Sequence, residues 1–395
     1  MRSERHPDLK LSSSIAARPG MSALTGKTGQ AVLACVLLSL LTGVPLFCAA
    51  EGVTNLQPLA VWDTTARVTA GLGYRENVLR SSIAPESSAF FNTSVDASFM
   101  RFTESGAYVT FFVLFDDTQY FDAPSVDYER FFSATLQAAA PIGPNDELGG
   151  QGNYLYQHQV VDLSETETLR SRMLVDGYTY MLRPYWKHTF DGSWAFQVEP
   201  EIVRQLYSGD ISGYWAPAAG VRLIRSYGHR SELSLYGQAK YIEYDSREEF
   251  DSAGLAIPNT SLVYQQKEAG GQWRHNFDKE RHWRTTSRLS YMSSQDSGSG
   301  YFDYSRSQVS QQLRWKNARW EIKSGARLGW YNYPEQKVGS EHFERSSIAL
   351  DVRIERRLGK HWLLYSLAEH EWSMSNDALE QYNNWMVGGG AGYEF

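Results

Sequence analysis

The chain has 395 residues, a net charge of −7 and 14% aromatic residues, yet its mean hydropathy is negative at −0.44. Both cysteines, Cys35 and Cys48, fall in the first fifty residues, so the rest can hold no disulfide framework, thiol nucleophile or Cys-ligated metal. Those fifty residues carry five Lys/Arg and two Asp/Glu; the remainder is therefore more acidic, at about −10, which argues against nucleic acid as a partner.

Residues 1–50 read as a targeting segment. Ala31 to Phe47 is an apolar run preceded by Lys27 and followed by the small residues of Cys48-Ala49-Ala50. That is the pattern of a secretory signal peptide cleaved near Ala50, with Met21 as an alternative start. Phe47 is too large to precede a lipidated cysteine at Cys48. Residues 51–63 form a short periplasmic segment, too brief for a plug domain, which disfavours an energised uptake receptor. After residue 50 no apolar run approaches the roughly 18 residues of a membrane helix.

Residues 64–395 show about sixteen segments of period two, each with one apolar and one small or polar face. Arg67 to Asn77 sets Val68, Ala70, Leu72 and Tyr74 against Arg67, Thr69, Gly71 and Gly73. Short turns rich in Gly, Asp and Asn join some pairs: Thr103–Gly106, Pro141–Pro144, Phe190–Gly192, Ser226–Arg230, Phe277–Glu280, Lys316–Ala318 and Arg357–Lys360. Longer polar connections join the others: Leu79–Ala89, Thr118–Asp127, Asp162–Ser171, Tyr207–Gly213, Asp245–Asn259, Gln295–Ser305, Tyr333–Glu344 and Ser373–Asn383. Strict alternation of short and long connections predicts an all-β, up-and-down antiparallel transmembrane barrel of about sixteen strands, with short periplasmic turns and longer extracellular loops.

Tryptophan gives an independent signal. Trp186, Trp194, Trp273, Trp283, Trp315, Trp320 and Trp362 flank short turns, whereas Trp215, Trp330, Trp372 and Trp385 sit at long-loop ends. Two aromatic belts at opposite strand ends match two membrane interfaces, where the ring is buried and the N–H stays wet. The last stretch, Trp385 to Phe395, alternates in the same way, and Tyr393 and Phe395 look like the C-terminal signal that outer-membrane barrels show to their assembly machinery.

Alternation also predicts the inward positions: Arg67, Arg75, Asp96, Gln197, Glu199, Glu201, Arg222, Lys240, Glu268, Arg274, Arg284, Arg288, Arg314, Glu321, Lys323, Arg327, Asp351, Arg353 and Glu355. Both signs are mixed in this set. Sixteen strands leave a water-filled lumen where eight would be packed with side chains. The charges are read either as a transverse field in a channel or as ion-pair ladders that stiffen the wall. Inward Tyr236, Tyr264 and Tyr365 are candidate stacking platforms for sugar rings. No loop stands out by length as one that folds inside.

Candidate chemistry is weak. His229-Arg230-Ser231 has the spacing of a barrel lipid hydrolase but falls in a periplasmic turn. Glu341-His342 with Glu344, and Glu369-His370-Glu371, read as solvated strand ends rather than a protease or metal site. Glu165 and Glu167, and Glu248, Glu249 and Asp251, are acidic loop tips that could meet lipopolysaccharide through divalent cations. No cofactor and no metal is expected.

Gly73-Tyr74-Arg75-Glu76-Asn77-Val78, followed by a Ser/Pro loop and a second strand of the Phe-x-x-x-Val-x-Ala-x-Phe type, resembles the putative β-barrel porins of the second type. That group includes barrels encoded with exopolysaccharide genes. The resemblance implies an outer-membrane, porin-like channel for passive diffusion of small hydrophilic solutes. The alternatives are a barrel that assists exopolysaccharide export and, more remotely, a lipid hydrolase. Expected partners are outer-membrane lipid and lipopolysaccharide, the barrel-assembly machinery, and small solutes or polysaccharide.

Overall fold

The computed structural model describes residues 62–162, 172–209 and 211–395. The signal-peptide and periplasmic-segment expectations lie outside the described residues. The barrel strands are β1 (Asp63–Arg75), β2 (Ser88–Phe102), β3 (Tyr108–Tyr120), β4 (Tyr128–Pro141), β5 (Asp146–Asp162), β6 (Arg172–Thr189), β7 (Trp194–Tyr207), β8 (Tyr214–Tyr227) and β9 (Ser231–Tyr244). A two-stranded hairpin of β10 (Glu249–Phe250) and β11 (Ala256–Ile257) follows within a loop. The barrel continues with β12 (Val263–Asn276), β13 (Trp283–Asp296), β14 (Tyr304–Lys316), β15 (Trp320–Val338), β16 (Glu341–Leu358), β17 (Trp362–Ser375) and β18 (Tyr382–Glu394). Each strand pairs antiparallel with its chain neighbour, β9 pairs with β12, and β18 returns to β1 to close a sixteen-stranded ring.

The closing seam runs from Arg67↔Glu394 to Arg75↔Met386 and is finished by Phe395 N–H donating to Ala66 at 2.9 Å. It is lined by glycine. A Cβ at Gly390 would lie 2.6 Å from Gly71 Cα. The space above Gly71 and Gly73 is taken by the Tyr365 hydroxyl and the Phe90 ring. Small residues here let large neighbours cover the seam.

One expected loop is mostly strand. β15 and β16 continue to Val338 and from Glu341, with a register shift between Tyr333 and Lys337, so Gly339-Ser340 alone turns the chain. Apolar residues Tyr333, Phe343 and Val338 pack together there, and this burial sustains pairing in a segment whose Pro334 and charges read as loop.

The outer surface is apolar in mid-strand: Leu72 and Leu289 are each 61% exposed, and Leu136, Leu182, Leu235 and Val387 point the same way. Buried residues instead gather inside the long-loop end. Val78, Phe90, Tyr120, Ala123, Val126 and Val160 form one cluster. Ile242, Tyr244, Leu262, Tyr264 and Phe302 form a second, and Met292, Tyr304, Tyr331, Tyr333 and Phe343 a third. The core of this barrel is therefore a packed collar around its mouth.

Candidate functional site

The inner face is identified by a contact that skips strands. Arg67 on β1 bonds Asp96 on β2 at 2.7 Å and Glu355 on β16 at 3.2 Å, over the intervening β18 and β17. Only the concave side permits that reach. Residues in direct register with Arg67 and its partners share this side. By that criterion every charged or polar position expected inward, from Arg67 and Arg75 round to Asp351, Arg353 and Glu355, lies on the inner face.

Many of them pair. Arg222 meets Glu199 at 3.2 Å, Lys240 meets Glu201 at 3.6 Å, Arg274 meets Glu232 at 2.9 Å, and Arg288 meets Glu268 at 2.9 Å. Glu321 serves both Arg314 at 2.9 Å and Lys323 at 3.1 Å. Arg353 bonds Glu355 at 2.7 Å, and Gln197 donates to Glu199 at 3.1 Å. Among the described residues, Arg284, Arg327 and Asp351 form no ion pair. Arg183, absent from the expected set, also pairs with Glu201; Pro184 and Pro200 interrupt the β6–β7 ladder beside it and blur the alternation there.

The mouth holds what the sequence reading missed. The end of the β5–β6 hairpin crosses to the far wall: Asp162 accepts from Arg345 of β16 at 2.7 Å, and β5 and β16 are seven strands apart one way and nine the other. Arg172, at the start of β6, bonds Asp162 at 3.1 Å and Glu380, between β17 and β18, at 2.6 Å. It also donates to the Leu379 and Glu380 carbonyls and lies over the Tyr382 ring. Arg80, from the β1–β2 loop, joins the two sides by donating to the Val160 carbonyl at 2.7 Å and to Glu371 at 3.1 Å. Below it Glu129 receives Arg75 and the Tyr120 hydroxyl, each at 2.7 Å, and the Val160 N–H at 2.9 Å. Length singled out no loop as one that folds inside; the described ends of the β5–β6 hairpin, Asp162 and Arg172, reach across the mouth. Loop length carried no signal, because the hairpin bridges the mouth through buried charge rather than through extra residues.

The electrostatics of this bridge follow from burial. Burial works against the Arg80 cation, but Glu371, Tyr382, Glu129 and Asp162 together outweigh it and lift the guanidinium further above its ordinary range. Burial raises the Glu380 carboxyl, and Arg172 opposes the shift. Desolvated charges of this kind depend on one another, so breaking one pair strands its partner.

All eleven predicted tryptophans occupy the outer face. Trp186, Trp194, Trp273, Trp283, Trp315, Trp320 and Trp362 lie at the short-turn end; Trp215, Trp330, Trp372 and Trp385 lie toward the long-loop end. Trp283 and Trp315 are directly opposed, with ring centroids 6.0 Å apart. In the last strand Tyr393 is on the outer face, stacked with His361 and edge-on to Trp362 and Phe395.

The enzyme-like motifs do not assemble. Alternation puts His370 outside, bonded to Asn383, while Glu369 and Glu371 face inward. Ser231 is buried beside Asn276 N–H and His275, and Asn276 also caps the turn by donating to the His229 and Arg230 carbonyls. Asp278, Glu280 and His282 approach one another in the β12–β13 turn, where Asp278 accepts the His282 and Trp283 N–H groups and so acts as a turn cap. The three inward tyrosines do not join into a track. Tyr264 is buried in the mouth collar, while Tyr236 and Tyr365 lie on well-separated strands, each under an arginine.

No protein-family model matches the chain, and no curated protein matches it. Among solved structures it resembles Acinetobacter baumannii OccAB3, at 12% identity and a TM-score of 0.46 over 84% of this chain and 100% of that one. It also resembles an anion-selective porin from Comamonas acidovorans, at 10% identity and a TM-score of 0.43 over 85% and 100% of the two chains. A bacterial polysaccharide outer membrane secretin gives 10% identity and a TM-score of 0.41 over 84% and 98%. At this identity and overlap these resemblances assign no solute.

Proposed function

We propose that this chain is a non-enzymatic, porin-like channel of a Gram-negative outer membrane, through which small hydrophilic solutes diffuse. The observation that carries the reading is the sidedness of a closed sixteen-stranded ring: exposed leucine, valine and tryptophan outside, ionised side chains inside. Closure satisfies every strand's backbone without water, which lipid requires. The number of strands leaves an aqueous interior. The tryptophan belts anchor the barrel at both interfaces, and lipid and lipopolysaccharide are its immediate surroundings. The terminal strand with Tyr393 and Phe395 is the element that the assembly machinery would read. Export of polysaccharide rests on the resemblance of the first two strands alone; the scattered positions of Tyr236, Tyr264 and Tyr365 do not favour it.

The test is liposome swelling with purified protein and uncharged sugars of increasing size. Uptake of monosaccharides with a sharp fall for larger oligosaccharides supports passive diffusion. Vesicles that contain folded, heat-modifiable barrel yet admit no solute would sink the reading.

A further inference from the structure

The inner wall holds one arrangement that ladder pairing alone does not explain. Arg284 on β13 is directly opposite Arg314 on β14, Arg314 is directly opposite Lys323 on β15, and Lys323 is directly opposite Arg353 on β16. Four neighbouring strands thus present a continuous row of cations on one face. Directly opposed side chains have Cβ atoms only about 5 Å apart, and like charges so placed destabilise a sheet. A structural ladder would alternate signs.

The nearby carboxylates do not cancel the row. Glu321 and Glu355 are themselves directly paired, one inner step closer to the short turns. Glu321 is shared among Arg314, Lys323 and, at 3.8 Å, Lys316. Glu355 is shared between Arg353 and Arg67. Arg284 forms no ion pair among the described residues. One inner step toward the mouth, the row is bordered by Thr286, Gln312, Gly325 and Asp351, whose single carboxylate lies over Gly325 at one end of the row and leaves four cations in excess of it; beyond these lies Arg327, which also lacks an ion pair. Lys323 is 45% exposed and Arg314 32% exposed, so the row opens to the interior.

The facing wall leaves this field standing. β4 lies eight strands from β14 in the ring, and the inner positions of β4 and β5 from mid-height toward the short turns are Thr135, Gln137, Ala139, Asn153, Gln151 and Gly149, followed by Glu147, which is already held by Lys187 at 3.8 Å and the Tyr185 hydroxyl at 2.9 Å. Neutral amides and hydroxyls there provide hydrogen bonds without a counter-charge.

We propose that the Arg284–Arg314–Lys323–Arg353 row is an anion-binding rail, and that the solutes this channel favours are small anions bearing carboxylate or phosphate. The inference rests on the channel reading. Guanidinium groups offer forked donors that match both kinds of anion, and the spacing of successive strands lets an anion pass from one cation to the next without losing all its partners. A rail of this kind speeds anions while still releasing them, because no single site surrounds its occupant.

The test is the reversal potential of the purified protein in a planar bilayer under a potassium chloride gradient. The same measurement is made on the Arg284→Gln/Lys323→Gln variant. These substitutions leave Glu321 paired with Arg314 and orphan no carboxylate, and heat-modifiable migration verifies folding. The wild-type chain should prefer chloride. The variant should lose about fivefold of its chloride-over-potassium permeability ratio, the effect of two unit charges at roughly 8 Å in water, acting with opposite sign on the two ions and roughly halved by salt screening. Citrate and tripolyphosphate should each reduce the wild-type chloride current, and the variant's much less; whichever acts at lower concentration identifies the favoured anion. Open channels that prefer potassium, or a variant with unchanged selectivity and block, overturn the rail and leave the channel standing. Folded protein without any conductance removes the channel reading and the rail with it.

Discussion

Arg345→Met severs the bridge across the mouth at its most enclosed point. The Arg345 side chain is fully buried and donates to Asp162 at 2.7 Å and to the Ser373 hydroxyl at 2.9 Å. Methionine keeps the stem but deletes the charge and the fork. Removing one partner of a buried pair costs about 3–5 kcal/mol. Arg172 still holds Asp162 at 3.1 Å, so the lower end applies. A loss of about 3 kcal/mol shifts the docked-to-undocked ratio roughly a hundredfold, at 1.4 kcal/mol per tenfold. Amide hydrogen exchange reads this directly. Protection of Val160, Val161 and Asp162 should collapse by about that factor, while Asn153 and Leu155, paired on both sides within the wall, stay protected. Single-channel conductance should rise at the same time. Adding Asp162→Asn to Arg345→Met should cost further protection, because it also removes the pair that Arg172 still makes with Asp162. Unchanged protection at Val160–Asp162 together with unchanged conductance would refute the claim that this ion pair holds the hairpin across the mouth.

Other perturbations probe the wall, the seam and one loop. Gly390→Val puts a branched side chain against Gly71 and the Ala70 carbonyl; it should cost at least about 1–3 kcal/mol and lower the yield of heat-modifiable barrel. Leu289→Arg, on the exposed outer face of β13, should cost about 2–4 kcal/mol of membrane-folded stability, whereas Gln308→Arg, inward on β14 opposite Ser290 and Gly329, should cost far less; equal effects would contradict the assignment of faces. Asp245, just past β9, is held below the ordinary carboxylate range by its two hydrogen bonds from Arg204. Its contribution is therefore present above the unfolded value and disappears as pH falls through the lower folded value. Exchange protection at Asp245 and Ser246 should decline over that acidic window, and Asp245→Asn should show the same decline at neutral pH.

How much was legible in the residues depended on which physical signal each part uses. Strand existence and facing rest on period two, which survives at single-residue resolution, and the Arg67-to-Gly73 alternation reappears in the β1–β18 and β1–β2 registers. Turns such as Gly192 and Gly359 have positive φ, which glycine adopts at no steric cost, so their identity was visible. The extension of β15 and β16 was not, because pairing there is sustained by burial of Tyr333 and Phe343 in the collar, a tertiary effect. The mouth bridge was hidden for a related reason. Arg80, Asp162, Arg172 and Arg345 come from four separate places in the chain, and charged residues beside loops are ordinarily solvated. Nothing local distinguishes Arg345, which is buried, from a neighbour in water. The cation row was half visible: each member was assigned inward, but their mutual opposition depends on register across β13–β16, which spacing alone does not set.

The central claim, that the closed ring is an open aqueous path, is tested most directly by single-channel recording of the refolded protein in a planar lipid bilayer. The account predicts discrete, stable open steps whose size increases in Arg345→Met. A well-inserted, heat-modifiable barrel that stays silent in both proteins would contradict it.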